Sequence, residues 1–326
     1  MELAAIIVRG TIGEGDIVPT QCRNNGLSLP ITEWELLGAS VLQRMTECIK
    51  QHVPLVSVAH CASAPVEEIA FKYAQNGVKH LLMVQLRNYV ELDVLDLQRF
   101  HTARPTPLTE VVSRQEMLGM RLIEAESLIK RGTLSACRPS ASGFGSSSYQ
   151  FSGYRHALDT PADFRRLTRI ALANGCGIKP YGTEVQPGVW VAHGAKVVSS
   201  ARLVAPCYVG SNARIGHGVL VANGSSIEQE CKAGCGSFID DSTLLPNTYV
   251  GAGLDVSQSI VAGGRLLHLG RELEIILSGT GLAGYTHKTA PAWNTPVGTQ
   301  GVRDSGQSTP VLPLASLNRI YSWFAE

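Results

Sequence analysis

The sequence predicts an α/β protein in two parts: a doubly wound (Rossmann-like) domain followed by a parallel β-helix. Three observations predict it. Short apolar runs alternate with helical-period segments over residues 3–130. A branched aliphatic residue returns every six positions from Val185 to Leu245. The chain of 326 residues is also longer than one core usually organises, so two domains are expected.

In the first part, LAAIIV (3–8) has the continuous apolar character of a buried parallel strand. WELLGASVLQRMTECIKQ (34–51) puts Leu37, Val41, Met45 and Cys48 at helical spacing and predicts a helix. PLVSVA (54–59) is a second strand, and APVEEIAFKYAQNG (64–77) a helix with proline near its start and glycine past its end. HLLMVQL (80–86) is a third strand, DVLDLQRFH (93–101) a short helix and PLTEVVSR (107–114) a fourth strand. Residues 131–156 are rich in Ser and Gly, show no period and predict a loop or lid. TPADFRRLTRIALANG (160–175) predicts a helix with Thr160 as N-cap, Pro161 in its first turn and Gly175 at its stop.

The six-residue step runs Val185, Val191, Val197, Leu203, Val209, Ile215. It continues Val221, Ile227, Ala233, Ile239 and Leu245, after which the register slips by one. Neither a helix nor a strand needs a step of six. A coil with three short sides does: each hexad makes one side and a corner, and about eighteen residues close a coil. The anchors then point inward, and eleven of them make between three and four coils. The domains are therefore read as 1–178, 179–285 and a Pro/Gly/Ser/Thr-rich linker with a short helix at 286–326. That last helix carries Leu314, Leu317, Tyr321 and Phe324 on one stripe, suited to docking on the body, on a partner or on a membrane surface.

A net charge of +1 with 17% charged residues leaves no basic footprint for nucleic acid. No apolar run reaches the length of a membrane span, and the N-terminus lacks the pattern of a secretory signal, so a cytoplasmic location is expected. The cysteines at 22, 48, 61, 137, 176, 207, 231 and 235 form no C-x-x-C and read as free thiols, with Cys231 and Cys235 as small corner residues. Asp93, Asp96 and His101 share a short helix that they cap or decorate.

Four stretches carry a resemblance. They are LSLPITEWELLGASVLQRMTECIK (27–50), HLLMVQLRNYVELDVLDLQRFH (80–101), GYRHALDTPADFRRLTRIALANG (153–175) and VWVAHGAKVVSSARLVAPCYVG (189–210). In this order they resemble the sugar-1-phosphate nucleotidyltransferases, or NDP-sugar pyrophosphorylases. The resemblance implies a nucleotidyltransferase-like first domain, a left-handed hexapeptide-repeat β-helix and a magnesium-dependent site. The residues at that site depart from the pattern. In place of a Gly-Gly-x-Gly-Thr-Arg loop stands VRGTIGEGDIVPT (8–20), where Gly10, Gly13 and Gly15 can still form a phosphate-contacting turn but no arginine follows in register. The expected lysine falls near Asn25-Gly26, one metal-binding aspartate at Arg87 or Asn88, and the other at Ala157.

Without those carboxylates a divalent cation has no holder, and Arg87 would repel it. The expectation is a protein that has lost its catalytic site, with no metal and no cofactor. It would act as a regulatory or scaffold partner in sugar-nucleotide or surface-polysaccharide biosynthesis. A paralogous pyrophosphorylase or a polysaccharide-assembly enzyme, and a sugar nucleotide, are the expected partners, in a homo- or hetero-oligomer. One alternative is a hexapeptide-repeat acyltransferase acting on a sugar nucleotide, with His217 or His193 as general base. The two histidines are 24 residues apart, one coil plus one side, so they project from neighbouring sides. A second alternative is a divergent sugar-1-phosphate nucleotidyltransferase.

Overall fold

β1 (Leu3–Arg9) is the apolar run expected, and Leu3 to Val8 are buried on both of its faces. The computed structural model describes residues 2–9, 30–60, 63–134, 145–277 and 282–285. Gly10, Gly13, Gly15, the linker and the C-terminal helix stripe lie outside the described residues.

The helix expected from residue 34 begins later. Glu35–Leu36 (β2) and Ala39–Ser40 (β3) first form an antiparallel ribbon, closed by Leu37 and Gly38 at φ 55° and 96°. Two positive φ values in a two-residue turn are those of a type I′ hairpin. α1 (Val41–Lys50) then starts on Ser40, whose hydroxyl accepts from the Gln43 N–H at 3.1 Å. The helical spacing from Leu37 onward was real only from Val41, because the Leu-Gly turn breaks it.

β4 (Leu55–His60), α2 (Ser63–Gln75), β5 (His80–Gln85), the short β6 (Asn88–Val90) and α3 (Val94–Thr102) follow. Next come β7 (Leu108–Ser113), β8 (Glu116–Glu124) and α4 (Ala125–Arg131). β9 (Ser146–Gln150), β10 (Arg155–Ala157) and α5 (Pro161–Leu172) complete this part. The six-stranded sheet has the order β4-β1-β5-β8-β7-β9. β8 alone runs antiparallel to its neighbours; the other five share one direction. α1 and α3 pack on one face with Ala5, Ile7 and Leu82, while α2 and α4 pack on the other with Ala4, Ile6 and Met83. That is a Rossmann-like, two-faced sheet.

Two corrections concern this part. β8 is absent from the sequence reading; it returns beside β7 through Arg114 and Gln115, at φ 49° and 70°. The region expected to be a loop, 131–156, holds β9 and the first two residues of β10, while 135–144 lie outside the described residues. β9 is an edge strand held by its backbone to β7, and its Ser-Ser-Ser-Tyr-Gln sequence has no apolar face to reveal it. The α5 expectation holds at its start, where Thr160 and Asp163 form a reciprocal capping box with Pro161 in the first turn; at its end the helix stops at Leu172 and Asn174, not Gly175, takes the left-handed φ of 56°. Asp93 caps α3 by accepting from the Leu95 and Asp96 N–H groups, as expected.

From Val189 the chain winds into a stack of short parallel strands on three sides, consistent with a β-helix. Val191 pairs with Val209 and Val209 with Ile227, a step of eighteen; Val197–Ile215 and Leu203–Val221 keep the same step on the other two sides. Ile227 then pairs with Leu244, a step of seventeen. Val209, Ile215, Val221, Ile227, Ala233 and Ile239 are completely buried inside the stack.

Three details of the repeat differ from expectation. Val185 lies outside the stack, on an antiparallel flap (Thr183–Gln186) and 53% exposed. The slip comes before position 245: Leu244 fills the interior, and Leu245 faces the core of the first part. The stack makes four turns and the first strand of a fifth. Its corners stack too. Gly194, Asn212, Glu230 and Asn247 all take positive φ, and the Asn212 amide donates to Glu230 Oε1 at 2.8 Å.

The two parts share one core, where Tyr208, Leu245 and Ile260 of the stack join Trp34, Leu36 and Phe164. A polar clamp crosses the same junction. Glu228, fully buried, accepts from the Leu37 and Gly38 N–H groups at 3.0 Å each, and the Gln229 N–H donates back to Glu35 at 3.4 Å. Arg44 ties the ribbon down by donating to the Leu36 and Leu37 carbonyls, with its guanidinium 5.0 Å from the Tyr181 ring.

Candidate functional site

β5, β7 and β9 point the same way, and their carboxyl ends open into a crevice of about 970 Å³. This is where open α/β sheets present ligand sites. Arg87 follows β5, Arg114 follows β7, and Phe151 to Gly153 follow β9. β6 and β10 form the floor as an antiparallel pair that sets Asn88 opposite Ala157. The Leu158 N–H donates to the Arg87 carbonyl at 3.1 Å, so Arg87 and Ala157 are held side by side.

The crevice is rich in cations. Arg87, Arg114, Arg155 and Arg166 line it, against Glu116, Asp159 and Asp163. Arg155 pairs with Glu116 at 2.6 Å. Asp163 is committed to the capping box and accepts from the Thr160 N–H at 3.0 Å. The Asp163 carbonyl lies 2.9 Å from His156 Nε2, which donates when it carries the proton. The side chains of Arg114 and Arg166 have no hydrogen bond or ion pair among the described residues. Arg114 sits at positive φ, a conformation that costs a bulky residue stability.

The structure therefore brings together the positions the resemblance pointed to for metal binding. Residues directly opposite in an antiparallel pair share a face, with Cβ atoms about 4.5–5.5 Å apart. Two aspartates at 88 and 157 could share one cation; an amide and a methyl do not make that donor set. Among the described residues, no three His, Cys, Asp or Glu side chains are grouped as metal ligands. The residues present do not fit a magnesium ion held in the way the resemblance implies.

The other candidates are spread out. His193 lies at one corner of the stack and His217 at the next, each carbonyl accepting from the corner above it, Asn212 N–H and Gly236 N–H. His217 Nδ1 is 3.2 Å from the Ser200 hydroxyl, and both side chains are exposed. Replacing His217 with alanine is expected to shift the urea unfolding free energy by less than about 0.5 kcal/mol. Cys231 is buried with its thiol toward the Leu245 carbonyl, and burial raises its pKa. His101 is buried against Thr109 and edge-on to His80; burial, then His80, lowers its pKa to about 4. It helps hold α3 in place and lies outside the crevice lining.

Some groups of the site and its frame carry no signal in the sequence. Arg114 was read only as the end of a strand, and the Glu35–Glu228 clamp joins residues 193 positions apart, which no local pattern can reveal. No protein-family model matches the chain, and no curated protein is significantly similar to it.

Proposed function

We propose that this chain is a nucleotidyltransferase-like protein that has lost magnesium-dependent chemistry, with a left-handed hexapeptide-repeat β-helix as its second domain. It acts as a regulatory or scaffold partner in sugar-nucleotide or surface-polysaccharide biosynthesis. A sugar nucleotide occupies its crevice without being turned over. The observation that carries this reading is the Asn88–Ala157 pair: the two places where carboxylates would hold the cation meet across one strand pair and offer none. Transfer of a nucleotidyl group needs cations to neutralise charge on the phosphate oxygens. Arginines can neutralise a bound diphosphate in the ground state, which supports binding.

Calorimetric titration with a nucleoside diphosphate sugar in excess EDTA tests the reading. Binding is expected to be unchanged by EDTA and weakened about tenfold or more in Arg87→Ala. Magnesium-dependent release of pyrophosphate from a nucleoside triphosphate and a sugar 1-phosphate would overturn it.

A further inference from the structure

α5 separates the crevice from a second cavity. On its far side lies a groove of about 930 Å³, walled by α5 and by one corner of the β-strand stack. Ala162, Arg165, Arg166, Arg169 and Ala173 face it from the helix side, at the three- and four-residue spacing of one helical stripe. Asn223, Gly224, Asp240, Asp241 and Gln258 face it from the corner.

The charges in the groove do not cancel. Arg165 is buried and spends its donors on the corner: Nε to the Asp241 carbonyl at 3.1 Å and Nη2 to the Asp241 carboxylate at 3.0 Å. Its Nη1 is buried with no acceptor. Arg169, 60% exposed, is 3.6 Å from the same carboxylate. Asp241 is thus shared by two guanidinium groups, and Arg166 has no acceptor among the described residues. Asp240 takes the Asn223 amide on one oxygen at 2.5 Å and keeps the other. Three cations face two anions, one of which is already shared.

We propose that this groove is a binding site for an organic phosphate that carries hydroxyl groups, separate from the crevice. Arg166 and Arg169 lie one helical turn apart and present two guanidinium forks to a tetrahedral anion. Asp240 accepts a hydroxyl, and the side-chain amide of Gln258 can serve another. Gly224 shapes the wall: it takes φ 72°, and a Cβ there would lie 3.3 Å from Arg169 Cγ. Arg166 also lines the crevice, so occupancy of the groove draws on a cation that the crevice uses. The two sites are then coupled, with each ligand weakening the other.

The test is thermal denaturation and calorimetry of the full chain with a hexose 6-phosphate, the unphosphorylated hexose, and sodium sulfate at matched ionic strength. The hexose phosphate is expected to raise the melting temperature, with the free hexose inert and sulfate much weaker. Arg169→Ala is expected to weaken binding at least about tenfold, Arg169→Lys less, and Arg87→Ala not at all. Arg169 is mostly exposed, so its variants fold; Asp240→Asn adds a second, charge-neutralising variant, expected to favour sulfate and so to narrow the preference for the hexose phosphate over sulfate. Equal shifts from sulfate and hexose phosphate would mean an adventitious ion only and overturn the proposal. So would the absence of any shift, or binding lost in Arg87→Ala and kept in Arg169→Ala, which would assign the ligand to the crevice.

Discussion

Replacing Glu228 with alanine is expected to lower the unfolding free energy by about 3–5 kcal/mol, read as a shift in urea midpoint. The carboxylate is fully buried and receives the N–H groups of both turn residues of the β2–β3 ribbon. Alanine leaves both donors buried without an acceptor. Glutamine keeps the shape but turns one of its ends into a donor facing a donor, so its loss should be intermediate. The same clamp sets a pH dependence. Burial, then the neighbouring Glu35, raises the Glu228 pKa well above its usual value, and burial raises Glu35 too.

The facing groups are Glu35 from the ribbon, Arg44 from α1, and Tyr208 and Cys231 from the stack. A carboxyl with a raised folded pKa holds its proton more tightly in the folded state. Its stabilisation is complete below the unfolded value of 4.5 and is lost as pH rises through the folded value. The protein should therefore lose stability on the alkaline side of 4.5, and Glu35→Gln, which removes the like charge, should flatten that slope. A slope unchanged in Glu35→Gln would count against a contribution from the Glu35 charge.

Ile227→Ala is expected to cost about 2–5 kcal/mol, whereas Val185→Ala should stay within about 0.5 kcal/mol. Both residues are positions of the same six-residue series in the sequence. Ile227 is completely buried in the middle of the stack, between Val209 and Leu244 in register. Val185 is exposed on the antiparallel flap. Paired chemical-denaturation curves would read the difference directly. Equal losses at the two sites would mean that Val185 sits in the interior and that the stack begins one side earlier.

The contrast shows what the sequence makes legible. The repeat is visible because each interior position demands a branched aliphatic residue at a fixed step. Its ends are not, because an antiparallel flap can carry valine at the same spacing by coincidence. The slip is misplaced by one because Leu244 and Leu245 are both leucines, and only tertiary packing decides that one faces the stack and the other the first part's core. The parallel strands β1, β4 and β5 are legible as apolar runs. β9 is not, since a serine-rich edge strand held by its backbone and by hydroxyl contacts such as Ser147 on Thr109 carries no apolar run.

The candidate site was legible in part. Arg87, Asn88 and Ala157 were singled out from the sequence, and pairing of β6 with β10 sets Asn88 beside Ala157. Arg155 and Arg166 drew no attention, because single arginines in a strand and on a helix look like solvated surface. Only the sheet topology gathers them at the carboxyl ends of β5, β7 and β9.

The most direct measurement is manganese binding by electron paramagnetic resonance, comparing the natural chain with an Asn88→Asp, Ala157→Asp double variant. The natural crevice is expected to leave the ion free, and the two aspartates, placed on one face of the strand pair, are expected to capture it. Tight binding by the natural chain, lost when Asp159 is changed to asparagine, would contradict the account.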